Sequence, residues 1–238
     1  YFQRNSKYCT EEKKQLDPLP RIIFIPEIGL IGIGKDKKSS KIAADIGQAW
    51  IETVLSANSV GSFSPVGEKD TFDLEYWSLE QAKLGKAKPL LFEGNTVLIT
   101  GAGGTIGSQI AKDFSDLGAE IVAIDRDETA AMQTAKICGS NAKYFQCDVT
   151  NYSQLNKVFD QVLLEFGGLD ILISNAGAAW QGNLSTLEDN IFRKSMELNL
   201  FSHHYASQNA IKIFNSQDFL EEERINLIGG QLLFNISK

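Results

Sequence analysis

Residues 96–107 read Thr-Val-Leu-Ile-Thr-Gly-Ala-Gly-Gly-Thr-Ile-Gly, and no other segment says more about the architecture of the chain. The β-branched run before Gly101 is typical of a buried strand, and an amphipathic helical pattern begins directly after the glycines. Glycine permits the tight turn that joins such a strand to a helix, and it lets main-chain N–H groups approach a ligand closely. The stretch therefore predicts a strand, a glycine loop and a helix.

A carboxylate follows at the distance that dinucleotide binding requires. Asp125 ends the next apolar run, Ile121-Val122-Ala123-Ile124, about twenty residues after the loop. The helix N-terminus would bind a diphosphate, and a carboxylate at the end of the second strand would bind ribose hydroxyls. Together these features predict a dinucleotide-binding βαβ unit. The competing interpretation is a strand-to-helix turn that binds no ligand.

Composition restricts the class of protein. The chain has 238 residues and a formal net charge of −7, which argues against nucleic acid or an anionic membrane as the main partner. Its 43% of hydrophobic residues suffices for a core, and no apolar run approaches membrane-spanning length. The polar N-terminal residues do not resemble a signal peptide. Cys9, Cys138 and Cys147 lack the spacing of metal ligands and indicate thiols in a reducing compartment. We expect a cytoplasmic protein.

The pattern of the chain changes near residue 90, where we place a domain boundary within a linker. Beyond it, apolar runs alternate with amphipathic segments, which predicts a parallel sheet with helices on both faces. Strands are expected near 96–100, 120–125, 143–147, 170–174 and 231–236, and helices near 105–117, 128–138, 151–166 and 186–214.

Residues before the linker predict a hairpin and one long helix. Residues 21–26 have the character of a buried strand, and 30–34 would form its return partner across a turn. Ser39 is expected to cap a helix that runs to about Ala57. The helical spacing predicts that one apolar face of this helix belongs to the core, comprising Ile42, Ile46, Trp50, Thr53, Val54 and Ala57.

Residues 95–238 resemble the short-chain dehydrogenase/reductase family, because that family's markers follow the predicted strands in order. After the glycine loop and Asp125 come Cys147-Asp148-Val149, then Ser174-Asn175-Ala176-Gly177. The Asn-Ala-Gly triplet is the more specific marker. The glycine spacing, Gly-x-x-Gly-x-x-Gly, is instead that of the branch containing nucleotide-sugar epimerases, which is the alternative function within the superfamily. A dinucleotide-sensing module without catalysis is a second alternative.

The resemblance implies NAD as the cofactor. Asp125 would accept hydrogen bonds from the adenosine ribose and repel the 2′-phosphate of NADP, although Arg126 could pair with that phosphate. Asp148 could also be the N-cap of the following helix. The remaining implied contacts are to the diphosphate (Gly101, Gly103, Gly104, Thr105, Ile106 and Gly107), the adenine (Asp148 and Val149) and the nicotinamide ribose (Asn175, Ala176 and Gly177).

The resemblance also implies two catalytic residues. Asn199 would hold a water in the proton relay, the alternative being an asparagine that faces solvent. Ser237 would polarise the substrate oxygen, although the usual motif places the catalytic serine at the position of Lys238. The adjacent His203 and His204 are interpreted as surface or packing residues. None of the tyrosines is followed four residues later by lysine, so the family's acid–base pair is lacking and we expect the sequence as given to be inactive.

Residues 1–88 extend the resemblance to bifunctional rhamnulose-1-phosphate aldolase/short-chain dehydrogenase proteins. The segments that carry it are Leu16-Asp17-Pro18-Leu19-Pro20-Arg21, Glu75-Tyr76-Trp77-Ser78-Leu79-Glu80-Gln81-Ala82-Lys83-Leu84, Ala178-Ala179-Trp180-Gln181-Gly182 and Leu233-Phe234-Asn235-Ile236-Ser237-Lys238.

This second resemblance implies a fold and an activity. The fold is a Rossmann-like doubly wound parallel sheet that ends after its fifth strand, preceded by a small α/β remnant of an aldolase-like domain without its zinc histidines. The activity is NAD-dependent oxidation of a small hydroxy-aldehyde or alcohol, such as lactaldehyde, in deoxysugar catabolism. The whole protein would be a homo-oligomer that takes a small-molecule substrate, with Trp180 as a wall of the substrate pocket.

Overall fold

A computed structural model describes residues 1–9, 11–81, 88–217 and 231–234 of the chain. The chain divides into two compact units, Tyr1–Pro89 and Leu90–Lys238.

The first unit combines an antiparallel hairpin with helices. The strands pair from Ile22 opposite Gly32 to Ile25 opposite Gly29, as the sequence predicts. The described elements are α1 (Phe2–Asn5), a 3₁₀ turn (Ser6–Tyr8), β1 (Ile22–Ile25), β2 (Gly29–Gly32), α2 (Lys37–Val60), α3 (Glu68–Glu75) and α4 (Ser78–Gln81).

Helix α2 differs from the sequence prediction in its start and in its buried face. Asp36, not Ser39, is the N-cap, and its carboxylate accepts a hydrogen bond from the Ser39 N–H at 2.6 Å. The buried residues of α2 are Ala43 and Gly47, and a Cβ on Gly47 would lie only 2.4 Å from Leu30 Cδ1. The hairpin thus packs directly on the small residues of the helix.

The prediction that the apolar face of α2 belongs to the core is wrong. Ile42, Ile46 and Trp50 are 48%, 59% and 50% exposed. Trp50 contacts Phe24 and Phe63 through ring pairs whose centroids lie 5.6 and 6.2 Å apart. The periodicity identified an apolar face correctly, but close packing favours the face whose side chains are smallest.

The second unit alternates strands and helices, as the sequence predicts. The main difference is that the single helix expected over 186–214 is two α-helices joined by a π-helical turn, Glu197–Phe201. The elements are β3 (Thr96–Thr100), α5 (Thr105–Asp116), β4 (Glu120–Asp125), α6 (Glu128–Cys138), a 3₁₀ turn (Gly139–Asn141), β5 (Ala142–Gln146), α7 (Tyr152–Phe166), β6 (Ile171–Ser174), α8 (Asp189–Met196), α9 (Ser202–Ser216) and β7 (Gln231–Phe234).

The five strands of the second unit form one parallel sheet in the order β5-β4-β3-β6-β7. The chain moves outward from β3 to β4 and β5, and then returns to the other side of β3 for β6 and β7. In an open parallel sheet, this reversal leaves a crevice at the carboxyl ends of the two central strands, where ligands bind. The predicted Rossmann-like fold is confirmed.

Alternating side chains of the strands build a core on each face of the sheet. Leu98, Val122 and Leu172 face a cluster completed by α7 and α9, whereas Val97, Ile121 and Ile171 face a cluster that includes Ala111 of α5. These strands are buried on both sides, which explains their nearly continuous apolar sequence.

The three cysteines are free thiols, and Cys147 is buried in the first of these clusters. Within the part of the chain that is described, no helix combines the length and apolar character needed to cross a membrane.

Truncation of a central strand residue tests this core. Leu98 is fully buried, so Leu98→Ala should lower the free energy of unfolding of the second unit by about 3 kcal/mol, through lost apolar burial and the cavity left behind. Leu164→Ala is the matched control, because Leu164 on α7 is 87% exposed and its loss should change stability by less than about 0.5 kcal/mol. Urea titration followed by circular dichroism measures both, and equal effects would contradict the assignment of Leu98 to the core.

Candidate functional site

The glycine loop after β3 is packed so closely that side chains do not fit at three of its positions, one of which is Gly103, where a Cβ would lie 2.5 Å from Ala130 Cβ. Gly101 has a φ of +64°, in the left-handed region, and a Cβ there would lie 2.8 Å from Ala176 Cα. A Cβ on Gly107 would lie 2.2 Å from the carbonyl oxygen of Gly101. The loop is therefore held between the first turn of α5 and the segment that follows β6.

The N-terminus of α5 lacks a side-chain cap. Its N-cap residue is Gly104, which makes no capping hydrogen bond, whereas α6 and α7 begin with the side chains of Asp127 and Asn151 on their first-turn N–H groups. Thr105 and Ile106, in the first turn of α5, are exposed. The free N–H groups of a first helical turn, together with the helix dipole, form a site for an anion such as a phosphate.

Asp125 connects the end of β4 to the glycine loop. Its Oδ2 accepts a hydrogen bond from the Gly103 N–H at 2.9 Å, and its Oδ1 accepts one from the Asp127 N–H at 3.0 Å. An ionised carboxylate has about four acceptor positions, so two stay open for further donors such as ribose hydroxyls. The half-buried Asp125 is followed by Arg126, which is exposed.

The ends of the two central strands are joined by the hydroxyl of Thr100. Its Oγ1 accepts hydrogen bonds from the N–H groups of both Asn175 and Ala176, each at 3.0 Å. In return, Asn175 Nδ2 donates to the carbonyl oxygens of Thr100 at 3.0 Å and Gly101 at 3.2 Å. The asparagine of the Asn-Ala-Gly triplet thus braces the glycine loop from the neighbouring strand.

The residues after β5 differ in part from the sequence interpretation. Asp148 is not the cap of α7, because Asn151 is, through a hydrogen bond from the Gln154 N–H at 3.1 Å. Asp148 Oδ1 instead accepts hydrogen bonds from the N–H and hydroxyl of Thr150. Val149 is only 6% exposed and belongs to the core beneath the sheet. Their contacts with an adenine ring stay a prediction.

Asn199 lies in the π-helical turn between α8 and α9, and its side chain is paired with backbone. Asn199 Nδ2 donates to the Ala178 carbonyl at 2.8 Å, and its Oδ1 accepts from the Ala178 N–H at 3.1 Å. Asn199 thereby holds the segment that leaves β6 just beyond Gly177. Its proposed role in a proton relay stays a prediction, and Ser237 lies outside the described residues.

The sequence does not predict one contact between α9 and β6. Nδ1 of His203, on α9, lies 2.6 Å from the Oγ of Ser174, the last residue of β6. Burial lowers the pKa of the His203 imidazole below its ordinary value. The neighbouring His204 is exposed, in agreement with the surface interpretation. The sequence does contain one indication of this contact. His203 lies four residues after Asn199, and in a helix that spacing places two side chains on nearly the same side.

A cavity of about 260 Å³ lies beyond the Asn-Ala-Gly triplet. Trp180, which is 39% exposed, forms part of its wall. The described residues contain no group of three or more His, Cys, Asp or Glu side chains placed to hold a metal ion. The lining of the cavity comprises Trp180, Gln181, Gly182, Asn183, Thr186, Leu187, Glu188 and Ile191.

Two protein families match this chain. Residues 95–219 match the short chain dehydrogenase family. Residues 1–84 match the second domain of class II aldolases. The family resemblance stated from the sequence is confirmed for the dehydrogenase region and for an aldolase-like region that precedes it.

Curated relatives are similar over parts of the chain. The protein of Bacillus subtilis (strain 168) named "Uncharacterized oxidoreductase YuxG" is 31% identical over 185 residues, which cover 75% of this chain and 26% of that protein. The 3-oxoacyl-[acyl-carrier-protein] reductase FabG of Escherichia coli (strain K12) is 32% identical over 111 residues, 47% of this chain and 46% of the reductase. The chain thus spans about a quarter of the first relative and about half of the second.

Solved structures agree with the fold of the second unit. A 3-ketoacyl-(acyl-carrier-protein) reductase from Brucella melitensis, complexed with NADH, is 31% identical with a TM-score of 0.50, over 51% of this chain and 50% of the reductase. A short-chain type dehydrogenase/reductase from Mycobacterium marinum is 27% identical with a TM-score of 0.50, over 52% of this chain and 51% of that protein.

The Thr100 junction can be tested by one nearly isosteric change. Thr100→Val keeps the shape of the buried side chain but leaves the N–H groups of Asn175 and Ala176 without their acceptor, so stability should fall by about 2 to 4 kcal/mol. Thr105→Val is the control, because Thr105 is exposed and the same change there should cost less than about 0.5 kcal/mol. Urea denaturation measures both, and a neutral Thr100→Val would show that the junction does not hold the strands.

Proposed function

The chain belongs to the short-chain dehydrogenase family, and we propose that its second unit binds NAD(H) and that the whole protein transfers hydride between NAD and a small hydroxy-aldehyde or alcohol. The uncapped first turn of α5 carries this proposal. At this point β3, a strand of the central pair, leads directly into N–H groups suited to a diphosphate. Gly104 supports it, since a Cβ there would meet only the Gly101 oxygen at 3.4 Å, which leaves the loop surface open to a ligand.

The arrangement around Asp125 favours NAD over NADP. The carboxylate stands at the end of β4, where the adenosine ribose of a bound dinucleotide would lie, and has acceptor capacity left for its two hydroxyls. A 2′-phosphate at that place would be repelled by the same charge. The exposed Arg126 would offset part of that repulsion. We therefore expect a preference for NAD over NADP that is moderate and not absolute.

The chain's own residues would divide the work along the crevice. NAD supplies the hydride acceptor when it is bound. Asn175 and Ala176, fixed by Thr100, would shape the floor under the nicotinamide ribose, and Gly177 would contribute its backbone to the same floor. Asn199, bonded to the Ala178 backbone, would hold the segment that leads from this floor to the cavity beside Trp180.

A small substrate fits the neighbouring cavity. Its volume of about 260 Å³ lies below the usual range for drug-sized ligands, about 300 to 1,000 Å³. The aldolase-like region in the same chain supports an aldehyde, because an aldolase releases one and a fused dehydrogenase could consume it. We therefore favour a lactaldehyde-like substrate in deoxysugar catabolism, such as rhamnose catabolism, handled by a homo-oligomeric cytoplasmic protein. The family match favours this reaction over the epimerase alternative.

Substitution of Asp125, whose carboxylate is proposed to bind the adenosine ribose, tests the preference for NAD over NADP. Asp125→Ser removes charge-assisted hydrogen bonds to the ribose, and it should weaken NADH binding about tenfold or more. NADPH should lose less, because the repulsion of its 2′-phosphate disappears and Arg126 is retained. The dissociation constants of NADH and NADPH, measured by titration calorimetry, should therefore lie closer together in this variant than in the unaltered protein.

Asp127→Ser is the matched control for that experiment. It removes a carboxylate two residues away, but serine is an equally good N-cap for α6. Its effect on the NADH to NADPH ratio should be small. Equal binding of both cofactors by the unaltered protein, or equal ratios in the two variants, would contradict the assignment of Asp125.

Enlargement of the cavity tests the substrate class. In the whole protein, Trp180→Ala should increase kcat/KM for hydroxy-aldehydes longer than three carbons relative to lactaldehyde, because a wall of the cavity is removed. Trp77→Ala is the control, since Trp77 is an exposed tryptophan of the first unit. NADH formation at 340 nm follows the rates. Turnover of a nucleotide sugar, without turnover of any small aldehyde, would favour the epimerase.

A further inference from the structure

Two side chains of the long helical segment contact the chain where it leaves β6. Asn199 holds Ala178 through two backbone hydrogen bonds, and His203 meets the hydroxyl of Ser174 at 2.6 Å. The two side chains are four residues apart, as are the two residues they contact. The helix thus grips the segment 174–178 at both of its ends, with the Asn-Ala-Gly triplet between them.

The π-helical turn at Glu197–Phe201 accompanies this double contact. Such a turn inserts one extra residue and therefore rotates the side chains that precede it relative to those that follow. Asn199 lies within the turn and His203 lies just beyond it, in the first turn of α9. π-Turns interrupt regular helical hydrogen bonding and occur frequently at functional sites.

The contact with His203 affects the candidate site because Ser174 directly precedes Asn175 at the end of β6. Ser174 is 2% exposed and pairs with Thr100 in the parallel sheet. The next residue, Asn175, is bonded through its N–H to Thr100 and through its side chain to the glycine loop. A group that fixes Ser174 therefore also fixes the backbone from which Asn175 and Ala176 project.

A pure packing role explains this pair poorly. Burial of a hydroxyl and an imidazole costs free energy unless the two groups satisfy each other, and an apolar side chain at residue 203 would pack against β6 without that requirement. Burial lowers the pKa of His203, and the neutral ring so favoured keeps one nitrogen as an acceptor, which suits a hydroxyl donor.

We propose that His203 is a positioning residue for the nicotinamide half of the dinucleotide site: through Ser174 it sets the backbone of the Asn-Ala-Gly triplet, while Asn199 sets the other end of the same segment. The inference rests on the proposed function. It assigns the adenosine half, formed by Asp125 and the glycine loop, no dependence on His203.

The two halves of the cofactor separate this role from a general effect on folding. His203→Leu should raise the dissociation constant of NADH about three- to tenfold, the equivalent of one lost hydrogen bond. The dissociation constant of ADP, which lacks both the nicotinamide and its ribose, should change less than about twofold, because Asp125 and the loop are untouched. Titration calorimetry with both ligands on the purified protein gives the ratio.

Three further variants keep the experiment decisive. Ser174→Ala removes the other partner with little change in volume and should reproduce the selective loss of NADH affinity. His203→Asn places an amide near the position of Nδ1 and should restore most of that affinity. His204→Leu alters the exposed neighbour and should change neither constant.

Each remaining outcome has a defined meaning. Parallel weakening of NADH and ADP binding in His203→Leu and Ser174→Ala, with a lower thermal midpoint, would show that the pair is merely structural and overturn the inference. Unchanged NADH affinity in both variants would overturn it as well. If the unaltered protein bound neither ligand, the proposed function itself would fail, whereas binding of both with an unaffected ratio would refute only the role of His203.

Discussion

The second unit depends on the contact between the carboxyl ends of β3 and β6. The sheet reverses its direction of growth there, so the two strands must end side by side while the chain leaves them in different directions. The Thr100 hydroxyl bridges the gap by accepting two backbone N–H groups, and Asn175 returns two hydrogen bonds to the β3 end. The glycine loop can be tightly packed because this junction fixes both of its neighbours.

The other side chains of the candidate site bond to residues that lie within a few positions of Thr100 or Asn175 in the sequence. Asp125 reaches the loop from β4 through the Gly103 N–H, and Asn199 and His203 reach the β6 side from the helix. Asp125 and His203 are half-buried, Asn199 is exposed, and the first turn of α5 is open to solvent. A rigid frame around an uncapped helix start is the arrangement that binds a diphosphate without rearrangement.

In the first unit, packing decides which face of helix α2 is buried, and it is not the face that the apolar periodicity predicts. Helix α2 has an apolar face with Ile42, Ile46 and Trp50, and it has small residues at Ala43 and Gly47. The hairpin lies on the small face, because two backbones approach closely only where side chains are short. The larger apolar side chains are therefore left about half exposed within this unit.

The sequence alone predicts the strands of the second unit, their parallel arrangement, the glycine loop and the acidic residue after β4, because period, turn chemistry and strand-end markers are local properties. It did not determine that Asn151 rather than Asp148 caps α7, that the last long helix contains a π-helical turn, or that His203 meets Ser174. These depend on which groups from distant segments lie within hydrogen-bond reach, and only the packing of the sheet against its helices fixes those distances.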